Sequence, residues 1–477
     1  MVKPVPPALI FLIGALIIPL LKGRLKTLFM LLLPVYNYIN LLSMPEGRYW
    51  IVQFLDFHLV LGSVDRLSLI FGNIFILITL IGVIYLLHTR NDLEYSSGFL
   101  YAGAALGVVF AGDLISMFLF WEMLTVAAVF FILARKTRRA IGAAIRYLLV
   151  HVVGGLILLA GIILYIAQRQ TAELGYIGLT DLASALIFIG FGVNCAWPVL
   201  HAWLPDTYPE ATVGGTVFMA TFTTKTAVYI LARTFPGESL LVWIGAIMTA
   251  FPIFYAVIEN DLRRVLSYSL INQVGFMVTG IGIGTQLSLN GTAAHAYCHI
   301  LYKALLFMSM GAVLHQTGKI KATDLGGLYK SMPFTAVCCM IGAASISAFP
   351  LFSGFVSKSL IMSAATIEAA HNPLLTLVWL ALVFASAGVF HHSGIKIPFF
   401  AFFSHDAGIR VKEAPLNMRI AMGITAFLCI LIGVFPHATL YKLLPFPSVP
   451  YEPYTFPHVN AQLLLLIFSA LAFTLLL

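Results

Sequence analysis

Charge is what this sequence has least of. Asp, Glu, Lys and Arg make up 10% of its 477 residues, where a soluble domain carries about a quarter. That shortage excludes an ordinary soluble enzyme. Cysteine is scarce too: Cys195, Cys298, Cys338, Cys339 and Cys429 fall in or near apolar segments, with no CxxC pair and no metal-like spacing. Disulfides, zinc and iron–sulfur clusters therefore have no support. No nucleotide fingerprint, quinone motif or hydrolytic constellation is present, so the chain offers no cofactor, no metal site and no redox chemistry of its own. Soluble domains and low-complexity linkers are missing as well; the longest polar connections are 386–416 and the proline-rich 444–458.

What is abundant is apolar length. Hydrophobic residues reach 60%, and runs long enough to cross a hydrocarbon layer of roughly 30 Å recur along the chain. Fourteen transmembrane segments are predicted: 7–21, 25–43, 66–88, 97–112, 114–134, 143–167, 182–200, 211–232, 239–258, 263–285, 290–315, 334–366, 373–392 and 417–437, with a truncated-looking fifteenth at 459–477. The first follows MVKPVPPA with no small-residue cleavage site leading into a soluble domain, and reads as a retained helix rather than a signal peptide. The predicted class is an all-α polytopic membrane protein.

Lys and Arg in short loops set orientation. With the N-terminus outside, eighteen fall on one face, among them Arg135, Arg138, Arg146, Lys330, Lys396 and Arg410, against six on the other, Lys3, Arg48, Arg66, Arg169, Arg233 and Lys442. The basic loops are thus expected in the cytoplasm of a cell inner (cytoplasmic) membrane. The net charge of +8 needs no nucleic-acid partner.

A weak internal repeat has an offset near 150: AAIRY at 143–147 faces AAHAY at 293–297, and AWPV at 196–199 faces AFPL at 348–351. Five helices per unit would invert the second copy in the membrane, as transporters do around an ion path. The expected organisation is 1–96 as N-terminal helices, 97–232 and 239–392 as inverted halves, and 393–477 as C-terminal helices. Pro198 and Pro350 each remove a backbone donor and are predicted to break the seventh and twelfth segments, which is tolerated only in buried or wet surroundings.

The chemistry-bearing residues lie inside those segments. Glu122, Lys225, Lys303 and Lys358 carry charge at membrane depth, each at a cost of about 2.5–3.5 kcal/mol on insertion scales. His295, His299 and Lys303 stand four residues apart and share one arc of a helix. Paired lysines and carboxylates exchange protons when their spacing changes, and histidines relay them near neutral pH. Plainer readings stand beside these. His151 is equally explained as a hydrogen-bonded helix contact, Glu122 as a static ion pair, and Lys358 as a snorkelling side chain. Asp206, Arg263 and Arg264 read as loop anchors.

The stretches FLFWEMLTV at 118–126, PVLHAWLPDTYPEA at 198–211, NDLRRVLSYSLINQVGFM at 260–277, HAYCHILYKALLFMSMGAVLHQTG at 295–318 and FPLFSGFVSK at 349–358 resemble the antiporter-like membrane subunits of respiratory complex I, Mrp-type cation/proton antiporters and membrane-bound hydrogenases. The polar GIRVKEAPLNMRIAMGITAFLCILIGVFP resembles the D-type subunits of Mrp antiporters more than the complex I subunits. The resemblance implies fourteen core helices with two inverted five-helix repeats and broken seventh and twelfth helices. It implies roles as well: Glu122 gates a lysine, Lys225 connects toward the cytoplasmic side, His295, His299 and Lys303 form the central relay, and Lys358 is the charge of the broken twelfth helix. One departure stands out. Where the family carries a lysine seven residues before the position of His201, this chain has Asn194, which takes up no proton. Glu122 is then left to pair with Lys225, Arg146 or His151, or the first half-channel is silent.

The leading expectation is a proton-translocating, antiporter-like subunit of a larger membrane complex. Other integral membrane subunits and the lipid bilayer are its partners, H⁺ and in some complexes Na⁺ its ions, and a cation gradient or a redox-active neighbour its energy source. Three rivals remain: a non-conducting scaffold subunit, suggested by Asn194; a b-type cytochrome using His151 with His295 or His299; and a stand-alone solute carrier.

Overall fold

The computed structural model describes residues 4–476. Lys3 and Leu477, counted in the charge asymmetry and in the fifteenth apolar run, lie outside the described residues. Those described divide into two compact units, one reaching to Glu238 and one beginning at Ser239. Eleven helices among them are long and apolar enough to cross a membrane, and three shorter apolar helices accompany them. The chain is a multi-pass membrane protein.

The first unit runs α1 (Pro7–Ile17), α2 (Gly23–Leu42), β1 (Gly47–Phe54), β2 (Phe57–Val64), α3 (Arg66–Leu86), α4 (Asp92–Phe110), α5 (Leu114–Leu133), α6 (Arg138–Arg169), α7 (Leu182–Asn194), α8 (Trp203–Thr207), α9 (Val213–Thr221) and α10 (Thr223–Thr234). The hairpin β1–β2, with Phe54 opposite Phe57, occupies what the pattern of apolar runs treats as a plain connection. A search for membrane-length runs passes over its two eight-residue β-rich stretches. The predicted eighth segment is likewise two helices, α9 and α10, separated at Phe222. The Thr-rich run TFTTKT lies there, and hydroxyls that bond back to the preceding turn compete with the ladder: Thr221 Oγ1 donates to Val217 O at 2.7 Å.

The second unit runs α11 (Ser239–Ile258), α12 (Leu262–Ile283), α13 (Gln286–Thr317), α14 (Pro333–Ile346), α15 (Ser353–His371), α16 (Leu375–Val389), the short α17 (Lys396–Pro398), α18 (Leu416–Val434) and α19 (Phe456–Leu476). Around α17 the chain is π-helical at Phe390–Ile395 and Phe399–Phe403. The thirteenth predicted segment, 373–392, therefore continues to Phe403. Lys396, counted as a loop cation from sequence, is only 7% exposed inside that extension.

Short polar side chains start these helices by accepting from first-turn N–H groups that have no partner within the helix. Asp113 accepts from Ser116 N at 2.7 Å, Asp181 from Ser184 N at 2.8 Å, and Asp261 from Arg263 N and Arg264 N at 2.9 and 3.0 Å. Burial follows the faces. On α6, Leu149, Val153, Leu156 and Ile163 are exposed apolar side chains, whereas Tyr147, His151, Gly154 and Leu158 point inward. That polarity is the reverse of a soluble surface and matches a lipid-facing wall. By contrast α13 is almost wholly buried over its length, as expected for a central helix.

The internal repeat is visible in the backbone. Both breaks take the same shape: Ala196 and Val199 have φ 58° and 72°, and Ala348 and Leu351 have 57° and 72°. The flanking bonds match at an offset of 152, with Ala196 N donating to Val193 O and Ala348 N to Ser345 O, each at 3.1 Å. The helices α6 and α13 are both 32 residues long, and isolated bridges pair Asp113 with Glu173 and Asp261 with Lys321, all at an offset of 148. The alignment of AAIRY with AAHAY is therefore two residues out of register. Counted from the helix starts, Tyr147 corresponds to His295 and His151 to His299.

Candidate functional site

In the first unit Glu122 is half-buried on α5. Its Oε1 is enclosed without a hydrogen-bond partner and occupies the space that a methyl group on Gly155 of α6 would fill. One turn away, His151 Nδ1 lies 2.9 Å from Tyr147 O. Its ring stacks on Tyr147 at 3.9 Å and meets Trp203 edge-on at 4.5 Å, leaving Nε2 buried and unpartnered. Asn194, the last residue of α7, is also buried with Nδ2 unpartnered. Such a run of orphaned polar atoms is the kind of lining that water satisfies.

None of the three proposed partners forms an ion pair with Glu122 among the described residues. Arg146 is turned outward and holds Asp206 through two bonds of 2.7 and 3.0 Å. Lys225, fully buried on α10, donates to Ala220 O at 2.6 Å and to Thr224 Oγ1 at 3.1 Å.

The carbonyl of Ala220 is available because α9 ends at Thr221, and the last carbonyls of a helix have no partner within it. An ammonium there also meets the negative end of the helix dipole. The same device recurs twice in the second unit. Lys358, 2% exposed and therefore not snorkelling, donates to Ile346 O at the end of α14 at 3.1 Å. Lys396 donates to Ala256 O, Val257 O and Glu259 O at the end of α11, at 3.1, 2.7 and 2.6 Å. Helix ends thus hold these buried lysines through backbone carbonyls.

Between those two lysines lies a polar set gathered around α13. Lys358 Nζ stands 5.0 Å from the Phe276 ring centre, and Phe276 packs on His295 at 5.8 Å. His295 Nδ1 lies 3.2 Å from Ser357 Oγ, beside Lys358 in the first turns of α15. The His295 and His299 rings are 6.2 Å apart, and His299 meets Tyr302 edge-on at 5.3 Å. Tyr302 OH donates to Gln273 Oε1 at 3.2 Å. One turn beyond His299, Lys303 Nζ donates to Ser269 Oγ of α12 at 2.9 Å. A cleft of about 310 Å³ reaches Lys358 and is lined also by Ser359, Ser363, Ser386, His458 and Gln462.

The structure therefore brings His295, His299, Lys303 and Lys358 into one buried neighbourhood, and places Glu122, His151, Asn194 and Lys225 in the interior of the other unit. Arg146 is a surface ion pair. Arg263, expected as a loop anchor, lies in the first turn of α12 and is 1% exposed. Sequence reasoning missed Ser269, Gln273 and His392. The first two lie in a stretch that stands out only for its resemblance; His392 lies in FHHSGIK, whose density of polar residues at the end of an apolar run was the available signal.

Comparisons agree on the family. Residues 111–386 match the family NADH:quinone oxidoreductase/Mrp antiporter, TM. The chain is 30% identical over 486 residues to Na(+)/H(+) antiporter subunit A1 of Staphylococcus haemolyticus, covering 89% of this chain and 60% of that protein. It is 28% identical over 378 residues to the D-type Na(+)/H(+) antiporter subunit of Alkalihalophilus pseudofirmus, covering 75% and 73%. A chain of the Mrp complex from Dietzia sp. DQ12-45-1b superposes with a TM-score of 0.84 at 23% identity over 98% of this chain and 55% of its own length. The chain thus spans little more than half of the A-type relative and of that structural neighbour. With the broken helices and the buried Lys225, Lys303 and Lys358 on the same stretch, this chain is a member of the NADH:quinone oxidoreductase/Mrp antiporter transmembrane family.

Proposed function

We propose that this chain is the proton-translocating, antiporter-like subunit of a multisubunit membrane complex, and that H⁺ moves by changes of protonation along its buried lysines and histidines. The observation that carries this reading is the neighbourhood of Lys358, His295, His299 and Lys303. It contains exchangeable groups at short intervals and a cleft leading to one end, and among the described residues no buried carboxylate fixes its charge. A proton entering at Lys358 passes by way of Ser357 and His295 to His299 and Lys303, with water bridging the wider gaps. In the first unit Glu122 and Lys225 supply a second set, so that 97–232 and 239–392 act as paired inverted halves. Orientation follows the basic loops: these face the cytoplasm of the cell inner membrane, with the N-terminus outside. Neighbouring integral membrane subunits supply the energy, from a cation gradient, including Na⁺, or from redox chemistry.

Replacing Lys358 tests this. In inverted vesicles bearing the assembled complex, Lys358→Ala is expected to abolish ΔpH formation; unchanged ΔpH would refute the path.

One observation favours a second reading, a scaffold subunit without conduction: Asn194 stands where the family carries a lysine, leaving Glu122 with no cation beside it among the described residues. On that reading Asn194→Lys would confer pumping on a chain that lacks it.

A further inference from the structure

The proposed path has a cleft at its Lys358 end and reaches Lys303 at the other. Three distances supply a continuation. The Ser269 hydroxyl that receives the Lys303 ammonium at 2.9 Å is 2.8 Å from Ser393 Oγ, and Ser393 Oγ is 2.9 Å from His392 Nδ1. Four atoms thus form an unbroken line from Lys303 to an imidazole on another helix. All four residues are fully buried, and the far nitrogen, His392 Nε2, is enclosed without a partner.

Local structure sets the aim of this imidazole. His392 lies in the π-helical turn Phe390–Ile395, and single π turns re-aim side chains and free backbone groups, often at functional positions. The turn is packed against the break in the twelfth segment: Phe390 meets Phe349 at 5.6 Å, and a methyl on Gly394 would overlap Ser347 Oγ. Four residues after His392, Lys396 reaches the carbonyls at the end of α11. Those carbonyls adjoin Asn260, whose carbonyl accepts from Ala322 N at 2.9 Å, where the connection holding Lys319 and Lys321 meets the start of α12, which carries Arg264. His392 therefore stands between Lys303 and the face carrying the basic loops.

The internal repeat offers a likeness in helix order only, since at its offset of 148 to 152 Lys225 falls opposite residues 373–377. In the first unit, the break after α7 is followed by the interrupted pair α9–α10, which carries Lys225. In the second, the equivalent break after α14 is followed, beyond α15, by α16 with its π-helical interruption, which carries His392 and Lys396. Each half thus places a protonatable residue at an irregular turn of a helix that follows its break.

We propose that His392 is the proton carrier between Lys303 and the basic-loop face, and this rests on the function proposed above. The step is a bare proton transfer. In the structure Ser393 Oγ donates to Ser269 Oγ, so the two serine hydroxyls first turn toward His392; the Lys303 ammonium then gives one proton to Ser269, whose own hydroxyl proton passes to Ser393, and that of Ser393 to His392 Nδ1. Lys303 becomes a neutral amine and His392 an imidazolium, which releases a proton from Nε2 to water beyond.

The test compares His392→Ala, His392→Gln, Ser393→Ala and Lys303→Ala in vesicles carrying the whole assembled complex, with proton flux read by a pH-sensitive dye and assembly by co-purification. His392→Ala is expected to slow flux about tenfold, less than the loss of a positioned acid or base typically costs because water partly stands in. Added imidazole should restore part of that loss, and Ser393→Ala should slow flux without affecting assembly. Rescue by imidazole separates a carrier from a packing residue. Should His392→Ala fail to assemble, the bulk-conserving His392→Gln and Ser393→Ala decide. Flux within twofold of the parent in both, while Lys303→Ala is inactive, overturns the His392 branch and leaves the main path standing; an active Lys303→Ala overturns the main path itself.

Discussion

The Glu122 carboxylate occupies the place where Gly155 has no side chain: a methyl group at 155 would overlap Oε1. Position 155 is thus part of the carboxylate's mounting on α5, although it has no chemistry. Gly155→Ala is expected to displace Glu122 and lower proton flux by about tenfold, the scale on which a misplacement of about 1 Å acts. Complex assembly should persist, because the helix accepts alanine readily. Parental flux in that variant would show that the placement of Glu122 is immaterial.

Asn194→Lys discriminates conduction from scaffolding. If the chain already conducts, a buried lysine at the end of α7 brings no gain in ΔpH formation. A new gain of pumping would favour the scaffold reading.

Gly354 governs the second break. A methyl group there would run into the Ser345 carbonyl, which backbone cannot yield as a flexible side chain can. Gly354→Ala is expected to destabilise the solubilised complex by about 1–3 kcal/mol, read as a lower thermal midpoint, and to reduce flux through the displaced Lys358. An unchanged midpoint would contradict the tight packing of α14 against α15.

Outside the membrane, Asp406 fixes the connection that follows the π-helical segment. Arg410 donates to it at 2.7 and 3.0 Å, Lys330 at 2.8 Å and Gly408 N at 3.0 Å. Chiefly because of Arg410, its carboxyl is held well below the usual range. A depressed value contributes stability that is present above the ordinary carboxylate range and lost only as pH falls through the lowered one. Protection of the Gly408 amide from hydrogen exchange, corrected for intrinsic rate, should therefore hold from about pH 7 to about pH 4. Asp406→Asn should weaken it throughout. Protection that fades in the parent across that window would contradict this account.

Part of this was legible in residues with hard backbone consequences. Pro198 and Pro350 foretold both breaks, whereas the four-residue steps of His295, His299 and Lys303 put those three on one side of α13 without foretelling that the helix is buried on nearly every side. The hairpin at 47–64 was not legible, because its strands are shorter than the length being sought. The lysine partners were not legible either: sequence suggested carboxylates, while the structure uses carbonyls released at helix ends, and backbone groups carry no residue-type signal. His392 was hidden for a related reason. It sits where helical periodicity fails, so counting along an ideal helix carries it into a loop.

The most direct measurement is proton flux through the assembled complex carrying Lys303→Ala, in inverted vesicles, with the parent alongside. Lys303 joins the α13 histidines to Ser269 at 2.9 Å, so its loss should reduce flux to the background of vesicles without the complex while co-purifying subunits remain. Flux equal to the parent from a fully assembled Lys303→Ala complex would contradict the buried lysine–histidine path.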